Sequence, residues 1–245
     1  MVLIHGAWGD HHNWDDVVPS LAEGRRVLTY DRRGHSQSER LPAQGSIEED
    51  VADLKGLLSQ MNLAPAHVVG NSFGASIALK LACRRPDLFA TLTIHEPPLI
   101  GLLGDDPLAI AIRERLVEVV QRLEGGDTEG GTKHFVETVA FGPGAWAELS
   151  EDTRRKLMFN ASTFLDEYYE PDAYLVDLEA LSRFDRPVLM TRGSRSPSYF
   201  RPILDQIAAA LPNAAQHTFH GAGHVPQLTH PREFVSVIEE FVRRT

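Results

Sequence analysis

The sequence predicts an α/β fold, a mostly parallel sheet with helices on both faces and a helical block inserted between two of its later strands. Three observations carry this. Short, continuous apolar runs alternate with segments of helical periodicity. One such run passes through Gly70-Asn71-Ser72-Phe73-Gly74 directly into a helical pattern. Residues 99–185 then show helical periodicity alone.

In chain order, Val2–Ile4 is the first expected strand, with no basic stretch ahead of it of the kind a signal peptide carries. A β-hairpin precedes that strand in most folds of this type, so the N-terminal hairpin strands are expected to be shortened or missing. Arg26–Tyr30 is the second expected strand. Ser46-Ile-Glu-Glu49 reads as a capping box opening a helix to about Met61. Ala66–Val69 and Ala90–His95 follow as strands, with a helix carrying Ile77, Leu79 and Leu81 between them. In the 99–185 block, Ile112, Leu116, Val119 and Leu123 form one apolar stripe and Leu157, Ala161, Phe164 and Leu165 another. Glu124-Gly-Gly-Asp-Thr-Glu-Gly-Gly131 is the most linker-like stretch in the chain. Pro187–Thr191 and Gln216–Phe219 complete the strands. Pro231 marks the first position of a last helix whose inner face is Phe234, Val237, Ile238 and Phe241. The expected organisation is a core of residues 1–98 and 186–245 with a helical cap, a lid, over 99–185.

Composition narrows the partners. With 245 residues the chain can bury a core without staples. Lys and Arg number 24 against 34 Asp and Glu, a net charge of −10, which disfavours nucleic acid and anionic membrane surfaces. Cys83 is the single cysteine, so an internal disulfide or a multi-cysteine metal site is excluded. No apolar run approaches the ~20 residues of a membrane span. A soluble, cytoplasmic protein with a small-molecule partner is expected, its oligomeric state open.

Gly-x-Ser-x-Gly has chemical meaning when a strand leads into it and a helix leads out, as at Gly70–Gly74. The bend raises the Ser72 hydroxyl at a helix N-terminus, where N–H groups favour developing negative charge. A serine hydroxyl needs a base to take its proton. That base is expected in the loop after the last strand, His220-Gly-Ala-Gly-His-Val-Pro-Gln-Leu-Thr-His230. His224, in the Gly-rich bend, is preferred to His220 at the strand end and His230 at the helix N-cap. For the oxyanion hole, one N–H is expected from Phe73 and the other from Ala7, with Trp8 as the alternative donor.

These residues resemble the α/β-hydrolase superfamily over essentially the whole chain. His5-Gly6 is similar to its oxyanion motif, Gly70–Gly74 to its nucleophile elbow and Gly221-Ala-Gly-His224 to its catalytic histidine loop. Asp31-Arg32-Arg33-Gly34-His35-Ser36-Gln37-Ser38 is similar to its D-x-R-G-x-G-x-S loop, with Ser36 in place of the usual glycine. The inserted helical lid also looks like the family's. The acid departs from the pattern. Most members carry an Asp just beyond the strand that reads Pro187–Thr191, whereas this chain has Ser196 there and no carboxylate until Asp205. Thr91-Leu-Thr-Ile-His-Glu96 ends in a carboxylate, and haloalkane dehalogenases and some cofactor-free oxygenases are similar in taking their acid from that strand end. Glu96 is therefore the expected third member; otherwise the site is a dyad or is oriented by another group.

Eleven histidines invite a metal reading, yet neither His5/His11/His12 nor His217/His220/His224 has ligand spacing, so no metal and no cofactor is expected. Asp31 and Arg32 read as loop-stabilising residues and Cys83 as packed. Asn71 suits the tight bend, and C–C bond hydrolases acting on dienoates also resemble this chain in their Gly-Asn-Ser. Trp8 and Phe73 are the expected substrate-pocket aromatics. The resulting expectation is a serine hydrolase of small carboxylic esters or related acyl bonds (ester, lactone, thioester). A C–C hydrolase or cofactor-free oxygenase on the same site, and a ligand sensor keeping the pocket, are the alternatives. A base must be neutral to accept a proton, so activity is expected to rise through about pH 6–7.

Overall fold

The computed structural model describes residues 1–40 and 45–245. Six parallel strands form one sheet: β1 (Val2–Ile4), β2 (Leu28–Thr29), β3 (Ala66–Asn71), β4 (Phe89–His95), β5 (Val188–Gly193) and β6 (Ala215–Phe219). Their order is β2-β1-β3-β4-β5-β6. The order reverses between β1 and β3, whose registers run Val2 to Val68 and Ile4 to Gly70. Open α/β sheets bind ligands at the carboxyl ends of strands at such a switch point. The loops after β1 and β3, His5–Gly9 and Ser72, lie there.

The helices are α1 (Val18–Leu21), α2 (Ile47–Gln60), α3 (Phe73–Arg84), α4 (Pro107–Glu124), α5 (Thr128–Phe135), α6 (Ala145–Glu148), α7 (Glu151–Asn160), α8 (Thr163–Tyr169), α9 (Leu178–Leu181), α10 (Phe200–Ala210), α11 (Pro226–Thr229) and α12 (Pro231–Arg243). The capping box of α2 is formed in both directions between Ser46 and Glu49. Strand alternation splits the core in two. Val2, Ile4, Val68 and Met190 pack on one face with α2, α3 and the inserted helices. Leu3, Val69 and Leu189 pack on the other with Trp14, Phe234, Ile238 and Phe241.

Two expectations change. The second strand is not Arg26–Tyr30 but two residues, because among the described residues it is an edge strand paired only with the three-residue β1. The Gly-rich 124–131 stretch is not a linker. Gly126 turns the chain at φ 82°. Asp127 then caps α5 by accepting from the Gly130 N–H at 2.9 Å. Gly131 packs so tightly that a Cβ would lie 2.7 Å from Leu123 Cδ2. These glycines let α4 and α5 pack closely as a helical hairpin. From α4 to α9 the chain between β4 and β5 is helical, with a π-helical turn over Val136–Ala140. No described helix is long and apolar enough to cross a membrane.

Candidate active site

Ser72 joins β3 to α3 at φ 54°, ψ −123°, a backbone conformation that costs an L-residue energy and persists only when its surroundings enforce it. Here they do. The Ser72 N–H donates to the His95 carbonyl at 2.8 Å, and the Ala75 N–H returns to the Ser72 carbonyl at 2.9 Å. A Cβ on Gly70 would lie 2.6 Å from the Ala75 backbone, and one on Gly74 2.3 Å from the Ile4 carbonyl oxygen. Both glycines are therefore required by the close approach of strand, bend and helix. Gly6 is held as closely: a Cβ there would meet Ser72 Cβ at 2.8 Å. The β1 loop thus rests against the raised serine.

His224 comes from the loop between β6 and α11 and is buried. Its ring stacks on Phe200 at 4.5 Å between centroids and 15° between planes. Its Nδ1 meets Glu96 Oε2 at 2.7 Å. An ionised carboxylate only accepts, so Nδ1 carries the proton and Nε2 is the nitrogen left for proton transfer. Ser72 and His224 border the same cavity. Among the described residues no hydrogen bond joins the His224 ring to Ser72; such contacts tighten in substrate complexes.

Glu96 is fully buried just beyond β4, at φ 45°. Its Oε1 accepts the Gly193 N–H at 2.8 Å, so the side chain reaches across to the end of β5. A Cβ on Gly193 would strike the Gly223 carbonyl at 2.4 Å, which shows how closely the His224 loop lies over that strand end. Ser196, where the family resemblance led an Asp to be expected, makes no hydrogen bond through its buried hydroxyl among the described residues. Asp205 is exposed on α10. Burial opposes ionisation of Glu96, but neighbouring His95 and the His224 hydrogen bond pull harder, and the carboxyl is held well below the usual carboxylate range. His95 Nδ1 meets Thr191 Oγ1 at 2.9 Å, while its Nε2 lies 3.3 Å from Glu96 Oε2 without hydrogen-bond alignment. Burial holds the His95 pKa below the ordinary imidazole value. Among the described residues, His95, Glu96 and His224 are the one group whose donor atoms converge closely enough to hold a metal ion. The two other histidine clusters of the sequence form no such group.

Two residues gain parts that sequence reasoning missed. Asn71 does more than tolerate the bend: its Nδ2 donates to the His224 carbonyl at 3.1 Å, and its Oδ1 accepts from buried Gln227 at 3.4 Å. The nucleophile strand and the histidine loop are thereby tied together. His5 accepts the Arg32 N–H through Nε2 at 2.9 Å and donates from Nδ1 to the Gly6 carbonyl at 2.8 Å. Burial, with Arg32 beside it, drives its pKa down to about 3, so it is a neutral strut under the β1 loop. Neither role leaves a local mark in the sequence, because Asn71 acts on His224 and Gln227, and His5 on Arg32, all far along the chain.

The cavity above Ser72 holds about 440 Å³ of unfilled space, part of it open to solvent. Ala7 and Phe73 border it. Trp8 does not, contrary to expectation. It is 1% exposed, at φ 65°, and stacks on Phe135 at 4.9 Å and near Phe164 at 5.3 Å. Those two rings, from α5 and α8, form the cavity wall in its place. Asp31 accepts from the His11 and Gln37 N–H groups. Arg32 pairs with Asp50 through two hydrogen bonds and with Glu167, its guanidinium 4.6 Å from the Phe73 ring centroid. Cys83 is half-buried on α3, and burial raises its thiol pKa to about 11.

The comparisons with known proteins agree with this architecture. Residues 1–237 match the model of the alpha/beta hydrolase family. The chain is similar to an sn-1-specific diacylglycerol lipase of Mus musculus, 27% identical over 262 residues, covering 99% of this chain and 80% of that one. It is similar to a pimeloyl-[acyl-carrier protein] methyl ester esterase of Methylococcus capsulatus, 29% identical over 254 residues, covering 99% and 94%. An alpha/beta hydrolase structure from Sphaerobacter thermophilus superposes with a TM-score of 0.79 at 24% identity, over 98% of this chain and 91% of that one. The parallel sheet, the strained serine bend and a family match along nearly its whole length lead to one conclusion: the chain belongs to the alpha/beta hydrolase family and is a hydrolase.

Proposed function

We propose that the protein hydrolyses small carboxylic esters or related acyl bonds through an acyl-enzyme on Ser72. His224 Nε2 takes the hydroxyl proton as Ser72 attacks the carbonyl, then returns it to the leaving group. Glu96 fixes the tautomer of His224 and stabilises the imidazolium that forms. The Ala7 and Phe73 N–H groups bind the oxyanion, which strengthens in the tetrahedral intermediate. Water, activated by the same imidazole, releases the acid. Residues 99–185 act as a lid that supplies most of the apolar cavity wall and shields the acyl-enzyme. The observation that carries the reading is the buried line Gly193 N–H, Glu96, His224 at 2.8 and 2.7 Å, ending beside the cavity that Ser72 borders.

Labelling by a fluorophosphonate tests it. The parent protein should label at Ser72 and lose activity in proportion, while Ser72→Ala should neither label nor turn over p-nitrophenyl esters. Labelling that persists in the variant would refute the assignment. C–C bond hydrolysis on the same site is the second reading, favoured by Asn71 next to the serine. It predicts substantial turnover of a dienoate substrate by Ser72→Ala, since a His–carboxylate pair can move a substrate proton unaided.

A further inference from the structure

Apart from Tyr199, whose hydroxyl donates to the Val139 carbonyl at 3.4 Å, the cavity has polar side chains at two places. One is the Ser72–His224 end; the other is Glu167 of α8 and Tyr174, which border the same space from the helical block. Glu167 is 6% exposed, a burial that carboxylates seldom reach without a full set of partners. Its Oε1 accepts from Arg32 at 2.9 Å, and Oε2 has no partner among the described residues. Arg32 also donates to Asp50, from Nε at 3.2 Å and Nη2 at 2.9 Å, so its charge is shared between two carboxylates. The Tyr174 hydroxyl is sealed from solvent and likewise unpartnered. The buried, unfilled Tyr174 hydroxyl is costly unless a ligand completes it, and Glu167 Oε2 beside the same cavity offers a second acceptor to such a ligand.

We propose that Glu167 and Tyr174 form a specificity subsite that receives a hydroxyl group carried by the substrate, remote from the scissile carbonyl. This inference rests on the acyl-hydrolase reading above. A hydroxyl both donates and accepts, so one group can give its proton to Glu167 Oε2 and receive that of Tyr174. The Arg32 charge is already matched by Asp50 and Glu167, and Arg32 does not border the cavity, so no unpaired cation awaits a substrate carboxylate there. An ω-carboxylate would instead face Glu167, and a plain alkyl chain would leave both polar groups unfilled. The preferred acyl group is thus hydroxylated, neutral and mostly apolar.

The test compares p-nitrophenyl esters of straight-chain acids from pentanoic to octanoic, each as the plain, ω-hydroxylated and ω-carboxylated form. At one chain length, kcat/KM for the hydroxyacyl ester should exceed that of the plain ester by about tenfold or more, with the carboxylated form poorest. Tyr174→Phe and Glu167→Gln should each shrink that ratio several-fold; the ratio, unlike the absolute rate, is insensitive to a loss of folded protein. Equal kcat/KM for the plain and hydroxylated series at every length, or a ratio that survives both substitutions, would overturn the proposal. Binding separates it from the parent reading. Thermal-shift titration with an α,ω-diol against the monoalcohol of equal length reads the subsite without turnover. Selective diol binding that Tyr174→Phe abolishes, in a protein that cleaves no ester, would retain the subsite and remove only the acyl-hydrolase reading. Equal stabilisation by both alcohols would remove the subsite.

Discussion

At the scale of single residues, the proposed site depends on Glu96 reaching from the end of β4 to the His224 ring and the end of β5. Its positive φ turns the side chain under the His224 loop, and the Gly193 N–H fixes the second oxygen. Glu96→Gln keeps the volume but offers an amide where the imidazole needs an acceptor, which destabilises the required tautomer. Ester turnover should fall by about 10²–10⁴-fold in kcat with KM little changed. Steady-state kinetics checks this, and kcat within about twofold of the parent would send the search for the acid elsewhere. With Glu96 bonded to His224, the missing Asp at Ser196 no longer argues for a non-catalytic sensor.

At the scale of elements, the bend between β3 and α3 is held by close packing more than by local preference. Gly74 lies against the carbonyls of Ile4 and His5, so α3 and the end of β1 fix one another's position. Gly74→Ala would force those two elements apart, because the obstacle is backbone and cannot rotate away. Stability should drop by about 1–3 kcal/mol, and activity should fall further than stability alone explains, since the Ala7 N–H moves with β1. Chemical denaturation alongside kinetics separates the two effects. A variant with unaltered midpoint and rate would show that the approach of α3 to β1 is not a constraint. The α4–α5 hairpin makes the same point: its glycines read as slack in the sequence and act as space for packing.

At the scale of the whole molecule, buried ionisable groups set the response to acid. His5, His35 and His95 are buried and all have pKa values below 6.5, in each case chiefly through burial. The unfolded chain takes up protons at these histidines below pH 6.5 while the folded one does not, so stability falls as pH falls through that region. Glu96 adds to the acid loss, because its lowered pKa means that its contribution disappears once the unfolded carboxylate near 4.5 begins to protonate. Glu167 acts in the opposite sense. Burial, only partly offset by Arg32, raises its pKa to about 7, so the folded state binds the extra proton between 4.5 and 7 and stability from this group declines with rising pH. Three histidines and Glu96 outweigh one glutamate. Melting temperature should therefore drop steeply from pH 6.5 to pH 4, by several kcal/mol in free energy, while changing little from pH 7 to pH 8. Calorimetry across that range decides it, and a flat profile down to pH 4 would show that the histidines titrate normally in the fold.

The sequence by itself determined the parallel α/β class, the helical block between β4 and β5 and the serine on its bend, because each is written in neighbouring residues: apolar runs, helical stripes, a capping box, paired glycines. It also narrowed the candidates for base and acid to a few positions. Tertiary structure alone decided that Glu96 and not Asp205 meets His224, that Asn71 ties the histidine loop to the nucleophile strand, that Trp8 stands behind the cavity wall, and that Glu167 and Tyr174 border the cavity. These contacts join residues tens to more than a hundred positions apart. Their physical cause is the order and register of the strands, which no local pattern of side chains encodes.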